Sequence, residues 1–297
     1  MDPISIISQA DIALLQTIQT SIQPGLTEAM LALTFLGNPA FWVAVVAMVY
    51  WLGHENKSFF LMNLVMFSAV ASGAMKFAFA RPRPESSMFR VLAYDSIISP
   101  SFPSGHATLI AGAFSYCQGF IKRNLKILFA LAVIGVAFSR LYLGMHFPSD
   151  VLAGIALGLA IGKLNLLARN RLFHKNFKPS KLEDEIALVL LLAATAIALF
   201  FLQPLPLVAA LIGYYIGFFL FKEMELKQTK LSRNQMVLKQ ALGFAFLGAI
   251  FTGTGDILIG DAWISEIEQF FLYLIAGFWI SWAWPAFVER GLGRKKN

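Results

Sequence analysis

The composition of this 297-residue chain indicates that lipid is its solvent. Hydrophobic residues make up 58% of the sequence and charged residues only 14%, whereas a soluble chain carries about 25% charged residues. These charges are too few to cover a water-exposed surface, and the mean hydropathy of +0.67 excludes a disordered chain. The single Cys117 excludes an intramolecular disulfide and a cysteine metal cluster.

Apolar periodicity predicts helices along the whole chain. Residues 1–23 alternate apolar and polar side chains at helical spacing, which is typical of an amphipathic helix at a membrane interface. Pro24-Gly25 ends this helix, and a second short apolar helix is expected at 26–36. Longer apolar runs follow, most of them as long as a membrane-crossing helix, which needs about 17–25 residues. They lie near 39–53, 58–80, 104–121, 126–143, 147–168, 186–202, 205–221, 239–258 and 267–286.

We therefore predict an all-α fold, a polytopic membrane helical bundle of about nine transmembrane helices with an N-terminal interfacial helix. The expected organisation divides the chain into four parts. These are interfacial amphipathic helices at 1–37, core helices at 38–170, a basic cytoplasmic loop at 171–185 and additional C-terminal transmembrane helices at 186–297.

The basic residues are distributed unequally over the connections between these helices. If nine spans alternate, 19 of the 24 Lys and Arg residues fall on one set of connections, and the first 56 residues contain none. The positive-inside rule places that set in the cytoplasm and the N-terminus outside. Topology thus explains the net charge of +7, and binding to nucleic acid is not expected.

Five basic residues lie at or near the outer ends of spans, where positive charge needs a reason. They are Lys76, Arg81, Arg83, Arg90 and Arg140. Together they indicate an anion-binding site. Lys76 offers a point charge, and Arg83 a planar fork that can hold two oxygens. Interfacial snorkelling is the alternative for these basic side chains, and for Arg81 and Arg90 a simple loop position is favoured over contact with a headgroup.

A second segment, Pro103-Ser104-Gly105-His106, opens the run at 104–121. The first turn of a helix has free amide N–H groups and a positive dipole end, which can cradle a phosphate. Gly105 permits close approach of the backbone, and the Ser104 hydroxyl can donate to an anion or cap the helix. His106 beside this cradle is a candidate proton donor. An ordinary N-cap followed by an interfacial histidine is the alternative.

A third segment pairs His146 with Asp150, four residues apart at the predicted start of a helix, so that both share one face. A carboxylate there can accept one imidazole N–H, fix the tautomer and leave the other nitrogen as a nucleophile. A buried His–Asp pair that only stabilises packing is the alternative.

The three segments together read Lys76-x6-Arg83-Pro84, Pro103-Ser104-Gly105-His106 and Ser139-Arg140-x5-His146-x3-Asp150. This pattern resembles the type-2 phosphatidic acid phosphatase superfamily of membrane lipid phosphatases, which shares its motifs with vanadium haloperoxidases. All three motifs match, in order and at the expected span ends. The resemblance covers roughly residues 26–168 and makes 38–170 the expected phosphatase core.

The resemblance implies a role for each matched residue. His146 would attack phosphorus and form a phosphohistidine, Asp150 would orient it, and His106 would protonate the leaving group and then activate water. The phosphate oxygens would be held by Lys76, Arg83, Ser104, the Gly105 amide and Arg140. Phosphoryl transfer mainly needs positioning and charge stabilisation. No His, Asp or Glu cluster has metal-ligand spacing, so neither a metal nor another cofactor is expected.

The expected function is hydrolysis of a lipid phosphate or polyprenyl diphosphate at the outer, non-cytoplasmic face. Undecaprenyl or another polyprenyl diphosphate, phosphatidate, phosphatidylglycerophosphate and a sphingoid phosphate all remain candidate substrates. A lipid phosphotransferase using the same site and a nonhydrolytic lipid transporter or binding protein are the alternatives. We expect an integral protein of the bacterial inner membrane, in contact with membrane lipids, with its site facing the periplasm or exterior. The oligomeric state stays open.

Overall fold

The computed structural model describes residues 3–22, 24–92, 99–172, 205–226, 228, 231–253 and 262–292. Seven α-helices lie in the described residues up to Leu172. They are α1 (Pro3–Ser21), α2 (Thr27–Phe35), α3 (Pro39–Trp51), α4 (Glu55–Phe79), α5 (Gly105–Cys117), α6 (Arg123–Tyr142) and α7 (Pro148–Leu172). A short 3₁₀ turn, Pro24–Leu26, joins α1 to α2 because proline and glycine end the first helix there.

The described residues fall into two compact units. The first unit contains the residues up to Val43 and those from Asn63 to the end of α7. The second unit contains Ala44–Met62 and the described residues after 204. Its later helices are Leu205–Glu223, Arg233–Gly253, Ala262–Phe278 and Trp284–Leu292, the last two joined by a π-helical turn at Trp279–Ala283.

Four helical stretches in the described part of the chain are long and apolar enough to cross a membrane. They are Glu55–Phe79, Arg123–Tyr142, Pro148–Leu172 and Glu268–Gly291. The helices α2 and α3 are bent by 48° relative to each other and would add a fifth span if they form one broken segment. For the described residues, the all-helical class with membrane-spanning helices is confirmed. The count of nine spans stays a prediction, because the run at 186–202 and nearly all of the basic loop at 171–185 lie outside the described residues.

The helix α5 is shorter than the apolar run that predicted it, because the chain turns after Cys117. Hydrogen bonds from the N–H groups of Gln118, Phe120 and Ile121 continue the segment to the end of that run, so residues 105–121 still match the roughly 17 residues that a membrane crossing needs. Nine of the 13 residues of α5 are buried inside the first unit. Its apolar character reflects protein packing on α6 and α7.

Glycines on α7 bring this helix unusually close to α5. A Cβ atom at Gly158 would lie 2.1 Å from the carbonyl oxygen of Thr108, and one at Gly162 would lie 2.1 Å from that of Gly112. Small residues spaced by four allow such backbone contact between membrane helices. The N-terminal ends of the two helices are joined as well, since the Ser104 N–H donates to the Asp150 carbonyl at 3.0 Å. The glycines therefore set two site segments side by side.

We expect Gly158→Ala to destabilise the first unit by about 1–3 kcal/mol, because the added methyl group must push the two backbones apart. The thermal unfolding temperature of the purified protein in detergent measures this. Gly248→Ala is the control, since a Cβ there meets no atom within 4 Å and alanine favours the helix. An unchanged melting temperature for Gly158→Ala would contradict the close α5–α7 contact.

The second unit also relies on close helix contact and on aromatic packing. A Cβ at Gly213 would lie 2.0 Å from the Leu274 carbonyl oxygen, and one at Gly277 would lie 2.0 Å from that of Ala210. The Tyr214 hydroxyl is 2.9 Å from the Ser58 hydroxyl, which gives this buried phenol a hydrogen-bond partner.

Candidate active site

Four helix ends of the first unit carry the residues that the three sequence motifs singled out. Lys76 lies in the last turn of α4, Arg140 in the last turn of α6 and Asp150 in the first turn of α7. Ser104 is the N-cap residue of α5, and Gly105 is its first residue. The loop after α4 and the turn between α6 and α7 supply Arg83 and His146. Helix packing thus gathers segments that are far apart in the sequence.

His146 lies in a tight turn that depends on Gly144. This glycine has φ +69°, and a Cβ on it would lie 2.3 Å from the Arg90 carbonyl oxygen. A side chain at this position would be strained and would also push the loop away. The loop is held on the turn by the Leu92 N–H, which donates to the Leu143 carbonyl at 3.0 Å. Both contacts fix the turn immediately before His146.

The His146 imidazole and the Asp150 carboxylate face each other inside the protein, with exposures of 2% and 0%. Their Nδ1 and Oδ2 atoms are 3.6 Å apart, longer than a hydrogen bond. Ser101 connects them, because its hydroxyl lies 3.3 Å from Nδ1 and donates to Oδ2. Sequence reasoning missed Ser101, whose only signal is its position two residues before Pro103. With Nδ1 engaged on this side, Nε2 is the nitrogen available for attack.

Asp150 accepts further hydrogen bonds that fix its orientation. The Phe147 N–H donates to Oδ2 at 2.8 Å, and Arg81 Nη1 donates to Oδ1 at 2.8 Å. A buried carboxylate requires such partners. Arg81 therefore belongs to the site region, although the sequence favoured a simple loop position for it. The Ser101 N–H also donates to the Arg81 carbonyl at 2.8 Å, so the loop brings Ser101 and Arg81 together.

The three cations of the motifs are each held by oxygen atoms of the protein. Arg83 donates to the Ser99 carbonyl at 2.7 Å and to the Met145 carbonyl at 2.9 Å. Lys76 Nζ donates to the Pro100 carbonyl. Arg140 is 1% exposed and donates to Thr34 Oγ1 on α2 at 2.8 Å. The protein itself therefore fixes the cations in place, an arrangement that would suit electrostatic stabilisation of a phosphoryl group.

This environment determines the protonation state of His146. Burial lowers the pKa of the imidazole well below its usual value, and the charges of Arg140, Arg83 and Lys76 lower it further. The ring is therefore neutral at neutral pH. A neutral imidazole is the form that can attack phosphorus, so the surroundings favour a nucleophile over a cation.

The N-terminal end of α5 has the properties of an anion cradle. Ser104 makes no side-chain cap, and its buried hydroxyl has no hydrogen-bond partner among the described residues. A Cβ at Gly105 would meet only Ser72 Oγ, at 3.8 Å, so protein packing does not require glycine there. The Ser104 hydroxyl is thus a donor without an acceptor among the described residues, and it lies beside open space at a helix N-terminus. This arrangement suits a phosphate. His106 follows, and burial lowers the pKa of its imidazole, as do the charges of Arg140 and His146. A bound anion would raise this pKa again.

The N-terminal helices pack directly on the site region. On α1, Gln19 donates to the Arg90 carbonyl and accepts from the Arg90 N–H, both at 2.9 Å. The Arg90 guanidinium lies 5.1 Å from the centre of the Tyr142 ring. For this residue, a loop role rather than contact with a headgroup stays a prediction. In the ranges that the structure describes, no group of three or more His, Cys, Asp or Glu side chains could hold a metal ion.

Comparison with known proteins points to one family. The family model described as "PAP2 superfamily" matches residues 57–174, and the model described as "PAP2 superfamily phosphatase, transmembrane extension" matches 205–295. The lipid A 1-phosphatase of Rhizobium etli is 32% identical over 115 residues, which are 37% of this chain and 47% of that protein. The chain thus matches about half the length of that relative.

A second relative, the phosphatidylglycerophosphatase B of Bacillus subtilis, is 30% identical over 169 residues, 52% of this chain and 81% of that protein. Among solved structures, the PAP2 type phosphatidylglycerolphosphate phosphatase from Bacillus subtilis superposes with a TM-score of 0.50 at 26% identity, covering 58% of this chain and 90% of that one. With all three motifs gathered at one end of its first unit, this chain belongs to the type-2 phosphatidic acid phosphatase (PAP2) superfamily.

Proposed function

We propose that this protein hydrolyses a lipid phosphate or a polyprenyl diphosphate through a phosphohistidine intermediate on His146. One observation carries the proposal. The buried, neutral imidazole of His146 is connected to Asp150 through Ser101, in the region where Lys76, Arg83 and Arg140 are held in place. A protein that only binds phosphate needs the cations and has no need of an oriented nucleophile.

The proposed reaction has two steps, and both use residues of this site. His146 Nε2 forms a bond to phosphorus while the bond to the leaving oxygen breaks, and His106 gives that oxygen a proton. The three cations, the Ser104 hydroxyl and the Gly105 amide hold the nonbridging oxygens as charge develops. His106 then takes a proton from water, whose oxygen attacks phosphorus and releases inorganic phosphate and free His146. Fixed positive charge takes the place of a metal ion in this scheme.

The position of the site at helix ends supports an amphiphilic substrate. A lipid can present its phosphate there while its chain stays in the bilayer. The relatives named lipid A 1-phosphatase and phosphatidylglycerophosphatase B support a lipid phosphate as the substrate class. Polyprenyl diphosphates, phosphatidate, phosphatidylglycerophosphate and sphingoid phosphates all belong to this class.

The decisive experiment measures free phosphate released from this panel of lipids by the purified protein in detergent, with His146→Ala as the blank. We expect release from at least one lipid without any acceptor. Release that requires a second lipid alcohol would instead identify a phosphotransferase. Lipid binding without any release would identify a binding protein or transporter and overturn the proposal.

Inhibition tests the metal-free mechanism. Vanadate adopts a five-coordinate geometry similar to the phosphoryl transition state, so we expect it to compete with substrate. EDTA is expected to leave the turnover number unchanged. The measurement is initial phosphate release with each additive. Loss of activity in EDTA that a divalent ion restores would contradict the mechanism.

We also propose that the site faces the periplasm or exterior of a bacterial inner membrane, because most basic residues lie on the opposite set of connections. The test places a single cysteine at exposed Ser87, in the loop after α4, or at exposed Asn124, at the start of α6. Buried Cys117 is changed to Ala in both variants. An impermeant maleimide added to intact cells should label position 87 and not 124. The reverse pattern would place the chemistry in the cytoplasm.

A further inference from the structure

We propose that Asp11 on α1 is a positioning residue that acts on His146 through Arg81 and Asp150. The inference rests on the proposed function of His146 as the nucleophile. It extends the active site to a helix that precedes the region matched by the family model, residues 57–174. The amphipathic helix that the sequence placed at the membrane interface would then be part of the catalytic unit.

The connection runs through the two arms of one guanidinium group. Arg81 Nη2 donates to Asp11 Oδ2 at 2.6 Å, and Nη1 donates to Asp150 Oδ1 at 2.8 Å. Asp11 is only 5% exposed. Arginine is suited to this bridge, because its rigid fork can hold two carboxylates in fixed directions.

Asp11 also holds the residue immediately before Asp150. The Ser149 N–H donates to Asp11 Oδ1 at 2.9 Å, and the Ser149 hydroxyl donates to Oδ2 at 2.6 Å. The carboxylate therefore contacts the first turn of α7 as well as the counter-ion of Asp150. The Arg81 guanidinium lies 4.6 Å from the centre of the Phe147 ring, which limits its movement on that side.

The rest of α1 fixes Asp11 in this position. Leu15, one helical turn further along, is fully buried in a cluster with Phe89 and Phe147. Gln19, one more turn along, makes the paired hydrogen bonds to the Arg90 backbone. Asp11, Leu15 and Gln19 are thus spaced by four residues and lie on one face of α1, which packs on the rest of the first unit. This face contacts the loop after α4 and the turn that carries His146.

The charges of Asp11, Arg81 and Asp150 determine what the loss of Asp11 should do. When the His146–phosphorus bond forms, the imidazole becomes cationic, and a negative Asp150 stabilises that charge. Arg81 alone would neutralise Asp150 and draw it away from the imidazole. Asp11 shares the guanidinium, so the group of two carboxylates and one arginine keeps a net negative charge. Loss of Asp11 should therefore slow the chemical step and leave phosphate binding unchanged.

The test is steady-state kinetics of Asp11→Asn, which keeps the shape of the side chain and removes its charge. We expect kcat to fall by about 10- to 100-fold, the loss typical when a hydrogen-bond partner that orients a metal-ligating side chain is removed. KM should stay within twofold of the wild type. Asp11→Glu should recover part of kcat. Glu28→Gln is the matched control, because it removes an exposed charge from the same N-terminal region and should leave both constants unchanged.

A double-mutant cycle separates this role from a merely structural one. If Asp11 acts through Asp150, Asp11→Asn should cost less than about twofold in an Asp150→Asn background. The full loss in that background, or an unchanged kcat in the single variant, would overturn the inference. Should Asp11→Asn fail to fold, Arg81→Lys must show the same kcat loss and the same non-additivity. Activity retained by His146→Ala would instead overturn the proposed function itself.

Discussion

His146→Ala is expected to reduce phosphate release by at least about 10⁴-fold, because removal of a nucleophile leaves only binding and charge stabilisation. In the described part of the chain, His146 is the histidine that has a carboxylate beside it. Two measurements test this expectation. Turnover is followed by phosphate release, and the intermediate is trapped by acid-free quenching of enzyme mixed with ³²P-labelled lipid.

The labelled protein should carry an acid-labile, base-stable phosphate in the wild type and none in the variant. His54→Ala is the matched control, since His54 is exposed and precedes α4 at the opposite end of that helix from Lys76. It should form the intermediate normally. A His146→Ala protein that still turns over, or still becomes labelled, would refute the phosphohistidine.

His106→Ala should lower kcat for a lipid phosphate by about 10²–10⁴-fold, the usual contribution of a general acid. The physical reason is that an alkoxide leaves slowly without a proton. A leaving group of low pKa, such as a nitrophenolate, needs no such help. For an aryl phosphate substrate we therefore expect a much smaller loss in the rate at which the phosphoenzyme forms.

Burst kinetics measure this difference, because nitrophenolate release reports formation of the phosphoenzyme separately from its hydrolysis. The dissociation constant of vanadate should remain close to that of the wild type, which shows that the anion cradle at the start of α5 is intact. Equal losses of phosphoenzyme formation for lipid and aryl substrates would indicate that His106 serves to bind phosphate. The Gly37 backbone packs against the start of α5, since a Cβ on Gly37 would lie 2.9 Å from the His106 Cβ atom.

Local spacing accounts for the parts of the site that the sequence predicted. His146 and Asp150 are four residues apart, and a helix start puts such a pair on one face regardless of the rest of the fold. Lys76 lies at the end of an apolar run, where the helix end follows from hydropathy alone. Pro103-Ser104-Gly105 marks a helix start because of the chemistry of those residues. The resemblance to a known family then joined the three segments.

Long-range packing accounts for what the sequence did not predict. Three hydrogen bonds of the site region join segments that are far apart in the chain. They are the bonds from Ser101 to Asp150, from Arg140 to Thr34 and from Arg81 to Asp11. Periodicity shows which face of a helix is buried and gives no information about the partner on the other side. The amphipathic pattern of α1 fitted a membrane surface and a protein surface equally well.

The sequence by itself thus determined that lipid is the solvent of this protein and that its class is helical, and it singled out the residues proposed to carry the chemistry, because hydropathy and short spacing act within one segment. The tertiary structure alone decided how these residues are oriented. The distance of 3.6 Å between His146 and Asp150, with Ser101 between them, depends on the loop after α4. The close contact of α5 and α7 depends on glycines that a hydropathy profile treats as ordinary apolar positions. Both result from backbone packing in three dimensions, where contacts join residues that no local pattern connects.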